Sequence, residues 1–221
     1  MSAAPKALAV RELGLLGYRE ALDLQADLVV QRRAGAIPDT LLLLEHPHVI
    51  TLGSGADPDH VLIGDAERER MGIGLFEAGR GGDVTYHGPG QLIAYPILDL
   101  KPDRKDLHRY LRDLESVLIG VARSFAVIAD RDPSGTGVFT EQGKLAAIGV
   151  RVSSGWITSH GVALNVSTDL DLFETIVPCG IPDRGVTSLE RELGRSVAMA
   201  EARENMVGAF ADVFERSILV V

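Results

Sequence analysis

The chain holds a single cysteine, and its neighbours are unusual. Cys179 lies in I-V-P-C-G-I-P, after a proline that fixes the backbone and before a glycine that frees it. Such a turn can present the sulfur beside main-chain N–H groups able to hold an oxyanion, the setting of a nucleophile in acyl chemistry. The same letters suit a small buried hydrophobe, which is what a lone cysteine commonly is. Lys144, at the head of the apolar run K-L-A-A-I-G-V, is equally two-sided: a functional ammonium, or a strand-end lysine reaching solvent along its stem. His87 and His160 each stand beside a glycine and keep a Cys–His hydrolase open. His46 and His48 flank Pro47, but no cysteine or carboxylate cluster completes a ligand set, so they read as structural or pocket-lining and no metal is expected.

These groups must be held by elements whose patterns are visible. The segment from Arg80 to Leu100 gathers Gly81, Gly82, Gly88 and Gly90 with Pro89, Tyr86 and His87, then enters the apolar strand Leu92 to Leu98. Glycines at that density beside a buried strand suggest either a plain turn or a backbone that something approaches closely. Tyr18, Ala21, Leu22, Gln25, Leu28 and Val29 share a helical face that Gly35 ends. Thr40 to Glu45 and the H-P-H-V-I-T-L-G that follows read as two buried strands joined through Pro47, and Asp65 as the cap of a short helix through Glu69 ahead of a strand from Ile73 to Glu77. Leu107 to Phe125 carries the strongest helical period. Gly137 to Val152 is expected as a hairpin turning at E-Q-G, Trp156 to Val166 as a strand interrupted at Gly161, and Ala198 to Ser217 as the last helix, with Val207, Phe210 and Phe214 inward.

The whole reads as α+β or mixed α/β, with no Rossmann fingerprint and no phosphate-cradling loop. Its 221 residues, 46% apolar, suffice for one domain spanning 1–221, with residues 1–10 as a flexible lead-in. A net charge of -9 argues against nucleic acid as a partner, one cysteine excludes an internal disulfide, and no apolar run approaches a membrane span, which places the protein in the cytoplasm.

Taken together, E-H-P-x-V-x-T-L-G (Glu45 to Gly53), R-G-G-D-V-T-Y-H-G-P-G-Q (Arg80 to Gln91), G-K-L-A-A-I-G-V-R (Gly143 to Arg151), H-G-V-A-L-N-V (His160 to Val166) and P-C-G-I (Pro178 to Ile181) closely resemble the lipoyl(octanoyl) transferase family in order and spacing. Ser54, where a basic residue often follows T-L-G, and Gly155 before Trp156, where arginine is commoner, are the small departures. The resemblance implies a mixed β-sheet flanked by helices, similar to the catalytic domains of biotin ligases and lipoate-protein ligases. It implies that Cys179 carries the acyl group and Lys144 tunes it. It also implies that Arg80, Gly81, Gly82, Asp83, Val84, Thr85, Tyr86, His87, Ala147, Ile148, Gly149, Gly161, Val162 and Ala163 line the substrate channel. The implied donor is octanoyl-acyl carrier protein. The implied acceptors are the lipoyl domains of 2-oxoacid dehydrogenase E2 subunits and the glycine cleavage H protein, and no cofactor is called for.

The chemistry is coherent with that implication. A free thiol of pKa about 8.5 is only a few per cent ionised at pH 7, and an ammonium about 4 Å away attracts the thiolate by roughly 4 kcal/mol at an effective dielectric near 20. Val84, Tyr86 and Ile148 would receive an acyl chain, with chain length set by where the channel ends. The carrier is typically acidic, so docking on an acidic enzyme calls for a local basic group, with Arg80, Lys144 and Arg151 as candidates. Competing readings are an ATP-dependent lipoate or biotin ligase on the same fold, a Cys–His thioester hydrolase, and a non-catalytic module that binds carrier or lipoyl domains.

Overall fold

The computed structural model describes residues 6–133, 135–177 and 185–219; Pro178 to Ile181, and with them Cys179, lie outside the described residues. The described residues begin with strand β1 (Lys6–Leu15), so Lys6 to Val10 are not the flexible lead-in expected: they pair in parallel with two other strands. Helix α1 (Tyr18–Arg33) follows and buries Tyr18, Ala21, Gln25 and Leu28. Strand β2 (Asp39–Glu45) carries an unbroken apolar run, Leu41 to Leu44, because it is covered on both sides. Leu41 and Leu43 join one core cluster, Leu42 and Leu44 the other.

Strand β3 (Val49–Leu52), helix α2 (Asp65–Arg70) and strand β4 (Gly74–Glu77) come next. Gly64, not Asp65, occupies the N-cap of α2, and Asp65 instead pairs with Arg68 at 2.9 Å one turn along. The glycine segment is not all loop. Val84–His87 form strand β5, antiparallel to β3, which completes a three-stranded sheet in the order β4-β3-β5.

Strand β6 (Gln91–Ile97), helix α3 (Leu107–Ser124), strands β7 (Asp130–Asp132), β8 (Gly135–Thr140), β9 (Gly143–Val152) and β10 (Thr158–Asn165), the short helix α4 (Leu189–Leu193), helix α5 (Met199–Phe214) and strand β11 (Arg216–Leu219) complete the described chain. Asp106 caps α3 by accepting from the Arg109 N–H, and Tyr110, Leu114, Val117, Leu118 and Val121 form its buried face. The large mixed sheet runs β11-β1-β2-β6-β10-β9-β8-β7. The face bearing Leu41, Leu92, Ala94 and Leu164 packs on α3 and α5, and the face bearing Leu42, Ile93, Tyr95 and Ala163 packs towards α1.

Two expectations need correction. The last helix stops at Phe214, because Glu215 adopts a left-handed φ of 53° and turns the chain into β11. Arg216 is held there by Asp39, 1% exposed, whose carboxylate also accepts from Arg32 at 2.8 Å, so the C-terminal strand is stitched to β2 and α1 by a buried ion-pair cluster. Strand β10 starts at Thr158 rather than Trp156, which sits in a turn at φ 64°, and it is continuous through Gly161. Glycine is required there because a Cβ would lie 2.1 Å from the Ala94 carbonyl oxygen on the neighbouring strand.

Candidate active site

The three-stranded sheet stands over the α1-facing side of β9 and β10, and the space between them is the site. In the β9–β10 ladder Ala147 pairs with Ala163 and Gly149 with Gly161, so four small residues form a floor. The Arg80–Asp83 loop with Val84, Thr85 and His87 forms the opposite wall, while Tyr18, Tyr95 and His160 close one end of the cavity. Every expected channel residue lines it except Gly81 and Tyr86. Gly81 instead donates its N–H to the Val150 carbonyl at 3.0 Å, tying the loop to β9. Tyr86 faces away from the cavity, packs against Phe173 and bonds His48 Nδ1 through its hydroxyl at 2.7 Å, so it cannot receive an acyl chain.

Arg80 shapes the wall. Its guanidinium, 7% exposed, donates through Nη1 to the carbonyls of Gly81 (3.1 Å) and Asp83 (2.9 Å), and through Nη2 to the carbonyl and hydroxyl of Thr51, both at 2.8 Å. Gly53 of T-L-G permits the approach, since a Cβ there would lie 2.1 Å from the Gly82 oxygen. A side chain committed in this way cannot belong to a docking patch. Arg80→Ala is expected to lower unfolding stability by about 2–4 kcal/mol, because buried carbonyls lose their donors, and Arg80→Lys is expected to recover little, lacking the planar fork. The urea midpoint measures both.

A second, smaller cavity shares Thr85, Ala147 and Ala163 with the first and ends on Lys144, Gln91 and Asn165. Lys144 reaches it through a β-bulge. Val138 pairs with Ala146 but Phe139 with Lys144, so Leu145 is the extra residue; it turns into the α3/α5 core and Lys144 joins the side of Ala147. The ammonium lies 5.4 Å from the Phe139 ring centroid, and Gly137, at φ 141°, leaves room for the stem, where a Cβ would approach Lys144 Cε to 2.8 Å. At 9% exposure Lys144 is neither a strand-end lysine reaching solvent nor part of a docking surface. Of the three residues expected to dock the carrier, Arg151 alone is exposed. The backbone of Lys144 is bonded on both sides to the segment that follows the cysteine region: its N–H donates to Gly185 (2.9 Å), and its carbonyl accepts from Thr187 (3.1 Å).

The histidines of the site are neutral. His46 donates Nδ1–H to the Leu16 carbonyl at 2.7 Å and accepts the Tyr95 hydroxyl at Nε2, 2.9 Å, and burial lowers its pKa to about 4. Burial lowers His87 to about 3, helped by His46 and the Arg80 guanidinium, and lowers His160 to about 4, helped by Arg80 and Arg151. His160 also sits at a left-handed φ of 55°, with its N–H donating to Gln25 Oε1 at 2.7 Å, a strained backbone beside the cavity end. Among the described residues no group of three or more histidine, cysteine, aspartate or glutamate side chains could hold a metal ion. Tyr18, Tyr95, Gln91 and Asn165 were missed as site residues. Gln91 and Asn165 stood inside the motifs already singled out, whereas Tyr18 carried only a core signal.

The chain is similar to known proteins in sequence and in fold. Residues 17–211 match the model of the lipoyl protein ligase A/B catalytic domain. The octanoyltransferase of Rubrobacter xylanophilus is 52% identical over 209 residues, covering 94% of each chain, and that of Chloroflexus aurantiacus is 47% identical over 211 residues, covering 95% of each. The chain belongs to the octanoyltransferase family. Membership makes it an enzyme, an acyltransferase of lipoate biosynthesis. Its fold is shared with more distant proteins. A lipoate-protein ligase A bound with ATP superposes at a TM-score of 0.74 with 16% identity, over 98% of this chain and 90% of the other. The biotin protein ligase of Aquifex aeolicus, in complex with biotin and ATP, gives 0.55 at 13% identity over 94% and 70%. No helix among the described residues is long and apolar enough to cross a membrane.

Proposed function

We propose that this octanoyltransferase family member moves an octanoyl group from acyl carrier protein to a lysine of a lipoyl domain through a thioester on Cys179, with Lys144 as its proton partner. The observation that carries the reading is the pair of connected cavities: a small-residue floor leading to one buried ammonium, with Cys179 six residues before the Gly185 that bonds the Lys144 backbone.

In the first half-reaction the Cys179 thiolate attacks the donor carbonyl, the carbon–sulfur bond to the carrier breaks, and the departing sulfur takes a proton from the Lys144 ammonium. In the second, the acceptor amine attacks the acyl-enzyme, its surplus proton passes to the Lys144 amine, and Cys179 leaves as thiolate. An acceptor lysine of pKa about 10.4 is neutral in well under 0.1% of molecules at pH 7, so it attacks after losing one proton to solvent, and the second proton, shed as the carbon–nitrogen bond forms, is the one Lys144 takes. One thioester is exchanged for another and then for an amide, which is downhill without a nucleotide. Burial contributes about 0.8 kcal/mol per methylene, so the Tyr18, Tyr95 and His160 end of the cavity sets the preferred chain length.

Transfer from octanoyl-acyl carrier protein to a lipoyl domain, followed by mass spectrometry of the acceptor, tests the reading. Transfer is expected without ATP and absent when free octanoate replaces the carrier thioester. Modification that requires both ATP and free octanoate would establish the ligase reading instead, and release of octanoate without acceptor as fast as transfer would establish the hydrolase.

A further inference from the structure

Two motif residues have no part in the reaction above, although their side chains are buried and bonded to each other at the Lys144 end of the cavity. Gln91 and Asn165 are direct cross-strand partners in the β6–β10 ladder. Gln91 donates from Nε2 to Asn165 Oδ1 at 2.9 Å and to the Tyr86 carbonyl at 3.3 Å, while its Oε1 accepts from His87 Nδ1 at 2.7 Å. Asn165 then donates from Nδ2 to the Thr187 carbonyl at 2.9 Å. Thr187 closes the relay by donating its N–H to the Lys144 carbonyl at 3.1 Å. The direction of every bond is fixed, because turning the Asn165 amide over would set its oxygen against the Thr187 carbonyl and its N–H2 against the Gln91 amide N–H2.

Thr187 is also clamped from its other side. Its hydroxyl donates to Glu192 Oε1 at 2.7 Å, and the same oxygen accepts from Thr140 on β8 at 2.7 Å. The segment that returns from the cysteine region therefore meets the sheet at one register, set by amides rather than by apolar packing that could slide. A buried lysine stem has several rotatable bonds, and a displacement of about 1 Å in a reacting group can cost about 100-fold in rate.

We propose that Gln91 and Asn165 are positioning residues that fix Lys144 through Thr187 at the point of acyl transfer, an inference that rests on the role given to Lys144 above. Asn165→Leu and Gln91→Leu are each expected to lower the single-turnover acylation rate about 30- to 100-fold with the donor KM within about threefold. The double variant is expected to be no worse than the poorer single one, because the two amides act as one unit.

A readout that ordinary destabilisation would not move is the pH midpoint of Cys179 alkylation by iodoacetamide, read on folded protein without substrate. It is expected to rise towards that of a free thiol in both variants, and Asn165→Ser, a milder change, serves where Leu prevents folding. Activity lost only in proportion to the unfolded fraction, with the alkylation midpoint unmoved, would overturn the inference. If Cys179→Ser transfers at the wild-type rate, the acyl-enzyme reading itself has failed; if Cys179→Ser is inactive while Asn165→Leu keeps its rate and its alkylation midpoint, the positioning role alone has.

Discussion

Lys144→Ala is expected to lower octanoyl transfer at pH 7 by about 10³-fold while the protein stays folded, within the 10² to 10⁴ that a positioned acid–base group supplies. The loss has two sources. Without the ammonium the thiol stays mostly protonated at neutral pH, and neither the departing carrier sulfur nor the attacking amine has a partner for its proton. The first loss is recoverable with alkali. Between pH 7 and about 8.5 the acylation rate of the variant should climb about tenfold per unit, as an ordinary thiol ionises, while the wild-type rate changes little. Lys144→Arg should not restore activity, since a guanidinium is always charged and cannot take the acceptor's proton, and its bulk meets Phe139 and Gly137 where the lysine stem passes. Single-turnover rates across pH, with urea midpoints for each variant, check these outcomes.

The second large effect is on stability in mild acid. His46, His87 and His160 have folded-state pKa values of about 4, 3 and 4, well below the 6.5 of an unfolded histidine, with burial the first cause in each. A depressed histidine pKa means that the unfolded chain binds the proton and the folded chain refuses it. Stability is therefore complete above about pH 6.5 and falls as pH drops from there towards the folded values. At pH 5 each buried ring contributes a loss of up to about 2 kcal/mol, so together they remove about 4–6 kcal/mol from a domain whose total stability is of order 5–15 kcal/mol. The urea midpoint should fall steeply between pH 7 and pH 5, and His87→Gln should flatten that dependence by about a third. A midpoint unchanged over this range would contradict the neutral, buried state of these rings.

The parts of the fold that were legible in the sequence are those whose signal is local. The apolar period of α3, the doubly buried run of β2 and the polar turn between β8 and β9 each carry their own evidence, and each lies within a few residues of where it was expected. Strands β1, β5 and β11 were not read, because what makes them strands is pairing with segments distant in sequence: β1 with β2 and β11, β5 with β3. Burial of charge was equally hidden. Arg80 looks like any surface arginine until the Thr51 and Asp83 carbonyls are brought beneath it. Lys144 shows its apolar context in the sequence, but the bulge that turns it into the cavity comes from register with β8, which letters do not record. At Gly161 the residue type suggested an interrupted strand; the strand is continuous, and glycine is there because of a partner that letters do not show, the Ala94 carbonyl.

Formation of an acyl-enzyme is tested most directly by intact-mass analysis of the protein mixed with octanoyl-acyl carrier protein. Wild type is expected to gain one octanoyl group that hydroxylamine removes and that passes to a lipoyl domain without ATP, while Cys179→Ser gains none. An adduct that survives hydroxylamine, one that also forms on Cys179→Ser, or transfer without any adduct on the enzyme would contradict it.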